Sequence, residues 1–314
     1  MSCTTYKFLE SPELFLAREV SGGSVPGGSV VVDDIQKGMT GKVLYMICSL
    51  PSMATAEMSS TADPAEPKVL PLIGSVTRSG IVVIEIGSDR QQHHVHEELL
   101  SHHSEYFRKA FNGSWKESED KRVALTDVDP IAFDIFVQWL YTQKLPTYLE
   151  YRNMAKALPP TLPDDDDWIT ALTKSLVFGD RFLVPVFSQT VNNLIVDNIL
   201  GNAGYLAMSP PFFTATKYAY ENLPEDHIIH EFFLEVHCRY WEVESYAVER
   251  TVSETLQMQV PPNLLVEMMV LFACKATEGT AWRNVPLDVC HYHMHADDEE
   301  RKQCEIDQRE DPSI

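Results

Sequence analysis

The residues of this chain with the clearest capacity for chemistry lie near its carboxyl end, in the sequence Cys-His-Tyr-His-Met-His at 290–295. Imidazole and thiolate groups together are typical ligands of zinc or another late first-row metal ion. Alternate side chains of an extended segment share a face, so the three histidines are predicted to converge. The pattern allows a zinc site that fastens the tail to the preceding helices, and also a polar segment in which histidines cluster by chance. The candidate ligands are Cys290, His291, His293 and His295, with Cys290 or Cys304 as the nearby thiol.

Other reactive groups of the sequence predict structure and not catalysis. The chain has no HExxH helix, no glycine-rich phosphate loop, no nucleophile elbow and no cysteine–histidine pair in a known protease context. Four aspartates at 164–167 precede an apolar helical period, where they complement the positive end of the helix dipole. A calcium site is disfavoured there because no glycine-bearing loop surrounds them. We therefore expect a protein that is not an enzyme and that requires no cofactor.

Charge and cysteine content restrict the classes of partner. The chain carries 46 acidic against 25 basic residues, a formal net charge of −21. Nucleic acids and anionic membrane surfaces are bound by neutralising phosphate, so neither is expected as a partner. The six cysteines follow no regular framework, which favours a reducing, intracellular compartment, cytoplasm or nucleus. Residues 43–50 are apolar but far shorter than the ~20 residues that span a bilayer.

The segment that must position most of the recognisable residues runs from 81 to 145. Its β-branched start at 81–86 predicts a buried strand, which a Gly-Ser-Asp turn closes. A polar patch at 101–104 leads into a helix predicted over 105–111. The order of elements that we expect is strand, strand, helix, strand, helix, which is a compact α+β unit.

The second half of this segment predicts a short strand and a buried helix. Residues 122–125 are the strand, and Asp127 or Asp129 can cap the next helix, with Pro130 at its first position. Apolar side chains recur on more than half of the helix circumference, which is typical of a core helix. These side chains are Phe133, Phe136 and Leu140, with Ile135 and Trp139 beside them.

The order and spacing of these residues resemble the BTB/POZ domain, and within that family the short BTB proteins of filamentous fungi. The matching residues that we expect to be structural are Val95, His96, Leu99, Leu100, Ser104, Tyr106, Phe107, Phe133 and Trp139. The likeness continues to the sequence Trp-Leu-Tyr-Thr at 139–142. Three positions depart from the family pattern: Glu97 replaces Lys or Arg, His94 replaces an aromatic residue, and Gln143 replaces a Gly. The resemblance implies the BTB fold, a small three-stranded sheet with helices, followed here by a helical extension.

The resemblance also implies a function in protein–protein interaction. In the cullin-binding members of the family, one face docks the cullin, and Tyr141, Leu145 and Phe182 fall at matching positions. We predict that they anchor a partner, although ordinary core packing is the alternative for each of them. Three hypotheses follow: a general interaction protein, a substrate adaptor of a cullin-RING ubiquitin ligase, and a zinc-dependent protein that uses the 290–295 tail. The adaptor hypothesis predicts that Phe182→Asp abolishes capture of a cullin.

Composition and proline positions predict the division of the whole chain. The predicted parts are a disordered leader or mis-assigned start at 1–70, a BTB domain at 71–200, a helical extension at 201–285 and an acidic tail at 286–314. Prolines 159, 160 and 163 predict a break over 144–163, and residues 242–258 are expected to connect two helices. Residues 64–80 hold three prolines and no helical apolar period, so the helix exchanged in many BTB homodimers is not expected.

Overall fold

The structure, a computed structural model, describes residues 71–112, 120–157, 168–201, 210–240, 261–275 and 281–310. The predicted leader at 1–70, the four aspartates at 164–167 and the connection at 242–258 lie outside these residues.

A three-stranded sheet organises the first half of the described chain. The strands are β1 (Ile81–Ile86), β2 (Gln91–His96) and β3 (Arg122–Leu125), in the order β2-β1-β3. The central strand β1 pairs antiparallel with β2 and parallel with β3. Val82, Ile84 and Ile86 are fully buried because they lie on the face of the central strand that the helices cover. The predicted strands at 81–86 and 122–125 are confirmed with the same bounds.

Helices cover the sheet and continue beyond it. They are α1 (Ile73–Val76), α2 (Glu97–His103), α3 (Glu105–Asn112), α4 (Pro130–Thr142), α5 (Tyr148–Ala157), α6 (Trp168–Arg181), α7 (Pro185–Leu200), α8 (Pro210–Asn222), α9 (Ile228–Tyr240), α10 (Pro262–Lys275), α11 (Val289–Tyr292) and α12 (Asp298–Glu310), with a 3-10 turn at Ala281–Asn284. The side chains of Phe133, Phe136 and Trp139 on α4 are fully buried, as the apolar period predicted. Within the described ranges, every helix is too short or too polar to cross a membrane.

Helix α4 begins where the sequence predicted. Asp129 is the N-cap, and its Oδ1 accepts a hydrogen bond of 2.9 Å from the backbone N–H of Ile131. Pro130 occupies the first turn, where a missing backbone N–H costs no hydrogen bond. The helix ends at Gln143, whose φ of +56° is the left-handed conformation that favours glycine. Its side-chain amide donates to the carbonyls of Trp139 and Leu140, both at 3.2 Å, which offsets part of this conformational cost.

The predicted break over residues 144–163 is wrong in its first half, because α5 occupies it. Thr147 and Glu150 form a capping box: the Glu150 carboxylate accepts from the Thr147 backbone N–H at 2.8 Å, and Thr147 Oγ1 accepts from the Glu150 N–H at 3.3 Å. The Thr147 N–H and hydroxyl both donate to the Glu150 carboxylate and hold its pKa below the usual range. The prolines that suggested the break lie outside the described residues.

The described C-terminal region is helical and adds a second, smaller core. Cys238, Leu264, Met268 and Trp282 are buried together there, from α9, α10 and the 3-10 turn. Helices α8 and α9 also contribute to the main core through Phe212, Phe232 and Phe233, among others. This arrangement confirms the predicted α+β architecture, a small three-stranded sheet with helices and a helical C-terminal region.

Asp134 on α4 predicts a pH-dependent stability. Burial, together with the nearby Asp129 charge, raises the pKa of Asp134 to about 6. Because this folded-state pKa lies above the unfolded value of about 3.9, ionisation of Asp134 destabilises the fold as the pH rises. We expect Asp134→Asn to raise the free energy of unfolding by about 1–2 kcal/mol near pH 7, with the gain lost as pH falls towards 4. Urea unfolding of both proteins across this range tests it, and a gain independent of pH would contradict it.

Candidate functional site

The turn between α6 and α7 brings together several residues that the sequence singled out. Phe182 is only 2 % exposed. Its ring stacks on Phe107, with centroids 5.7 Å apart, and contacts Phe178 at 4.6 Å and the edge of Tyr106 at 5.0 Å. A partner therefore does not reach the Phe182 ring in this conformation. The structure places this predicted partner anchor in the core.

A buried serine ties this turn to the sheet-covering helices. Ser104 Oγ donates a hydrogen bond of 2.7 Å to the backbone carbonyl of Phe182 and accepts one of 3.0 Å from the N–H of Phe107. The hydroxyl therefore caps α3 and holds the α6–α7 turn at the same time. Both hydrogen-bonding capacities of this fully buried hydroxyl are used, so its burial carries little penalty.

The residue after Phe182 is exposed and conformationally strained. Leu183 has φ of +54° and is 51 % exposed. A left-handed conformation is rare for a bulky residue and costs on the order of 1 kcal/mol. Hydrogen bonds from Leu183 N to Asp180 O (3.1 Å) and from Val184 N to Gly179 O (2.8 Å) maintain it. These two hydrogen bonds form the Schellman motif that ends α6, with Leu183 as its left-handed residue.

Two further exposed apolar side chains belong to the segments that meet at Phe182. Tyr106 on α3 is 38 % exposed, and Val186 on the first turn of α7 is 55 % exposed. We call Tyr106, Leu183 and Val186 the Leu183 patch. The sequence identified Tyr106 as a structural residue of the family pattern, and it did not identify the other two.

An acidic cleft of about 700 Å³ lies at the end of α6, and its lining includes Asp180 and Arg181, three and two positions before Leu183, but no residue of the patch itself. Its charged lining consists of Asp127, Asp180 and Glu221 against the single cation Arg181. The Arg181 guanidinium lies 2.7 Å from the Asp127 carboxylate and holds the pKa of that carboxyl below its usual range. Burial raises the pKa of Asp180. The lining has an excess of carboxylates, so the cleft favours a cationic group.

The structure assigns Tyr141 to a structural contact. Its hydroxyl accepts a hydrogen bond of 3.1 Å from the backbone N–H of His96 and lies 2.8 Å from Nδ1 of the same residue. This pair joins the end of α4 to the junction between β2 and α2. Leu145 is half-buried against the main core. Tyr141 and Leu145 therefore contribute to packing, which the sequence analysis gave as the alternative to a role in anchoring a partner. The other residues of the family pattern at the core are Val95, Leu99, Leu100, Phe107, Phe133 and Trp139, all buried.

A second cluster lies at the carboxyl end, and we call Cys290, His293, His295 and Cys304 the Cys/His cluster. Cys290 Sγ lies 3.6 Å from His295 Nε2, and Cys304 Sγ lies 3.5 Å from His293 Nδ1. Ligand atoms of Cys290, His295 and Cys304 are all within 4.8 Å of one another. Burial, with a contribution from Cys290, raises the pKa of the Cys304 thiol to about 12.

The predicted convergence of three histidines on an extended segment is wrong. Residues 289–292 form the helical turn α11, which breaks the alternation of side chains. His291 turns away, and its Nε2 lies 3.2 Å from Glu231 Oε1. Cys304 completes the cluster from α12, a helix in the segment that the sequence predicted to be an acidic tail. The sequence did contain one signal for this helix, because aspartate is a favoured N-cap residue and Asp297 precedes it. In the structure Asp297 Oδ1 accepts hydrogen bonds from the N–H groups of Glu299 and Glu300.

Polar side chains of α7 hold the cluster segment in place. Asn192 Nδ2 donates to the Tyr292 carbonyl at 2.9 Å. Asn193 forms two bonds with the Met294 backbone, donating to its carbonyl at 3.0 Å and accepting from its N–H at 2.8 Å. Asp197 Oδ1 lies 3.0 Å from His293 Nε2. The sequence signal for this contact was a row of polar residues on an otherwise apolar helix.

Comparison with known proteins identifies the family of the segment that contains the three-stranded sheet. No curated protein matches the chain. Residues 82–158 match the family model described as the BTB/POZ domain, and BTB domains mediate protein–protein interactions. The chain therefore contains a BTB domain, with its small three-stranded sheet and helices, followed by a helical C-terminal region.

Proposed function

We propose that this protein is a non-enzymatic interaction module of the BTB class that holds a partner protein at the Leu183 patch. The observation that carries the proposal is the exposure of Leu183 in a strained conformation beside a rigid aromatic core. The core residue Phe182 and the hydroxyl of Ser104 fix the turn, so the patch is preorganised before a partner arrives. Preorganisation reduces the entropy lost on binding. The BTB domain that contains this surface is proposed to span residues 71–200.

The chemistry of the patch and the cleft specifies the partner. The Leu183 patch favours an apolar side chain, and the adjoining carboxylates favour a lysine or arginine on the same partner. An amphipathic helix with an apolar stripe beside a basic residue combines both groups on one face. The net charge of −21 adds long-range attraction for such a basic partner.

A cullin is the specific candidate, which would make the protein a substrate adaptor of a cullin-RING ubiquitin ligase. The resemblance in the sequence supports this assignment, since the cullin-binding face of the family includes the α6–α7 turn. The structure supports a different set of contact residues from those predicted, because Leu183 and Val186 are exposed where Phe182 is buried.

Leu183→Asp is the sharpest test of this surface. Aspartate tolerates the left-handed conformation better than leucine, so the fold should be retained while an apolar contact is replaced by a charge. We expect capture of the partner by the tagged full chain from source cells to fall at least about tenfold, the effect of losing an interface anchor. Quantitative mass spectrometry of the captured proteins measures it.

The matched control is Met269→Asp, at an apolar side chain of α10 that is 71 % exposed. A protein that is lost with Leu183→Asp and retained with Met269→Asp is the partner of the patch, and a cullin in that position establishes the adaptor role. Capture profiles that are identical for both variants would contradict the proposed surface. Thermal unfolding of each variant shows that the comparison is made between folded proteins.

A further inference from the structure

We propose that Cys290, His293, His295 and Cys304 bind one zinc ion, which fastens helix α12 to the helical C-terminal region. This site is independent of the BTB surface and of its partner. Two thiolates and two imidazoles are a typical ligand set of closed, structural zinc sites. The ligands come from two segments, the 290–295 turn and α12, so the metal ion would join them as a staple.

Two distances in the Cys/His cluster match tetrahedral zinc, and Cys290, His295 and Cys304 already have ligand atoms within 4.8 Å of one another, whereas His293 must approach them to complete a tetrahedron. With Zn–S of about 2.3 Å and Zn–N of about 2.0–2.1 Å, a tetrahedral angle places a sulfur ligand about 3.5–3.6 Å from a nitrogen ligand. The two S–N pairs of the cluster are 3.6 Å and 3.5 Å apart. Cysteine sulfur and histidine nitrogen are weak hydrogen-bond partners, so hydrogen bonding alone gives little reason for two such pairs to share one site.

The orientation of His293 agrees with a role as a ligand. Its Nε2 faces the Asp197 carboxylate at 3.0 Å, which favours the proton on that nitrogen. Nδ1 is then left with its lone pair, and this is the atom that faces Cys304 Sγ. A carboxylate behind a metal-binding histidine is a common arrangement that fixes the tautomer and the ring orientation. His291, one turn away from this set, faces Glu231 instead and is not a ligand.

Helix α12 has little else to hold it. Of the residues in α12 whose exposure is described, only Cys304 and Gln308 are half-buried and the rest are exposed, including Ile306 at 46 %. A charged helix of 13 residues is marginally stable in water without an apolar face packed on something. The visible links to the rest of the fold are the bonds between Gln189 and Glu300 and the sulfur contacts of Cys290 and Cys304. Ligation of zinc through Cys304 supplies the missing anchor.

The site has the character of a structural centre. Cys290 is 3 % exposed, and His293 is the fourth ligand that would complete the tetrahedron once its Nδ1 approaches the three converging groups. No fourth position is left open for water or substrate, which a catalytic zinc requires. We expect zinc binding to order residues 289–310.

The test is metal analysis of the purified full chain, prepared with reductant and dialysed against metal-free buffer. We expect about one zinc ion per chain. Variants Cys304→Ser and His295→Asn should each lose most of the bound zinc, whereas His291→Asn, in the same segment, should keep it. Replacement of zinc by Co²⁺ should give the visible absorption of a tetrahedral thiolate site, absent in Cys304→Ser.

Hydrogen exchange provides the second readout. Removal of the metal by a chelator should increase exchange in residues 298–310 and leave β1 unchanged. A metal-free wild-type chain overturns the proposal, as does equal loss of zinc from His291→Asn and His295→Asn. A mass lower by two hydrogen atoms, with no free thiol at Cys290 and Cys304, would identify a disulfide in place of the metal site and also overturn it.

Discussion

Phe182→Ala is expected to lower the free energy of unfolding by about 3–5 kcal/mol, the usual cost of removing a buried phenylalanine ring. The ring is 2 % exposed and contacts Phe107, Phe178 and Tyr106, so its removal leaves a cavity at the α6–α7 turn. The surrounding rings belong to two packed helices, α3 and α6, and cannot all move into that space. Urea unfolding followed by tryptophan fluorescence measures the loss.

The control for this variant is Tyr106→Ala, which removes the exposed ring that contacts Phe182 from outside. Because Tyr106 is 38 % exposed, we expect it to cost about 1 kcal/mol or less. A Phe182→Ala protein as stable as Tyr106→Ala would show that the ring is not part of the core. The comparison has a practical consequence, because Phe182→Asp disrupts the fold and cannot report on partner binding. Leu183→Asp is the informative substitution at this turn.

Gly179→Ala is expected to cost about 2–3 kcal/mol, although alanine is the better helix former. Gly179 lies on α6 where α7 crosses it, and an added Cβ would lie 2.4 Å from Ser188 Oγ and 3.0 Å from a ring carbon of Phe187. Both neighbours are buried, so the two helices would have to separate. Such overpacking is unfavourable because the core is already close-packed. Urea unfolding again measures the change.

Two further variants separate the clash from the effect of helix propensity. Gly74→Ala places a Cβ in open space within α1, and we expect no loss of stability. The double variant Gly179→Ala with Ser188→Ala removes the nearest clashing atom and should recover part of the loss. Equal stability of the single and double variants would indicate that the helices are not held at the distance the structure gives.

Phe182→Ala and Gly179→Ala both act on the α6–α7 turn, the segment that presents the Leu183 patch. Gly179 accepts the hydrogen bond from Val184, and Phe182 supplies the carbonyl that Ser104 binds. Loosening this turn should therefore weaken partner capture as well as the fold. For that reason the proposed surface is tested by substitutions that leave these contacts intact.

The sequence by itself determined the elements whose signals are local. Strands β1 and β3 and the Asp129 cap with Pro130 follow from propensity and capping at adjacent positions. The residues of the BTB pattern predicted the fold because they too are local signals. The apolar period of α4, for example, is set by residues only a few positions apart. Helix α5 was not predicted, although the Thr147–Glu150 capping box is visible in the sequence, because the prolines at 159, 160 and 163 favour a break.

Only the tertiary structure decided which side chains are buried and which distant groups meet. Phe182 and Leu183 are adjacent apolar residues, and one is in the core while the other is exposed because the left-handed backbone at Leu183 reverses the chain between them. Cys304 reaches Cys290, His293 and His295 because α12 folds back over the segment that α7 holds. Contacts between residues far apart in sequence depend on the packing of whole elements, and no local pattern of residue types contains that information.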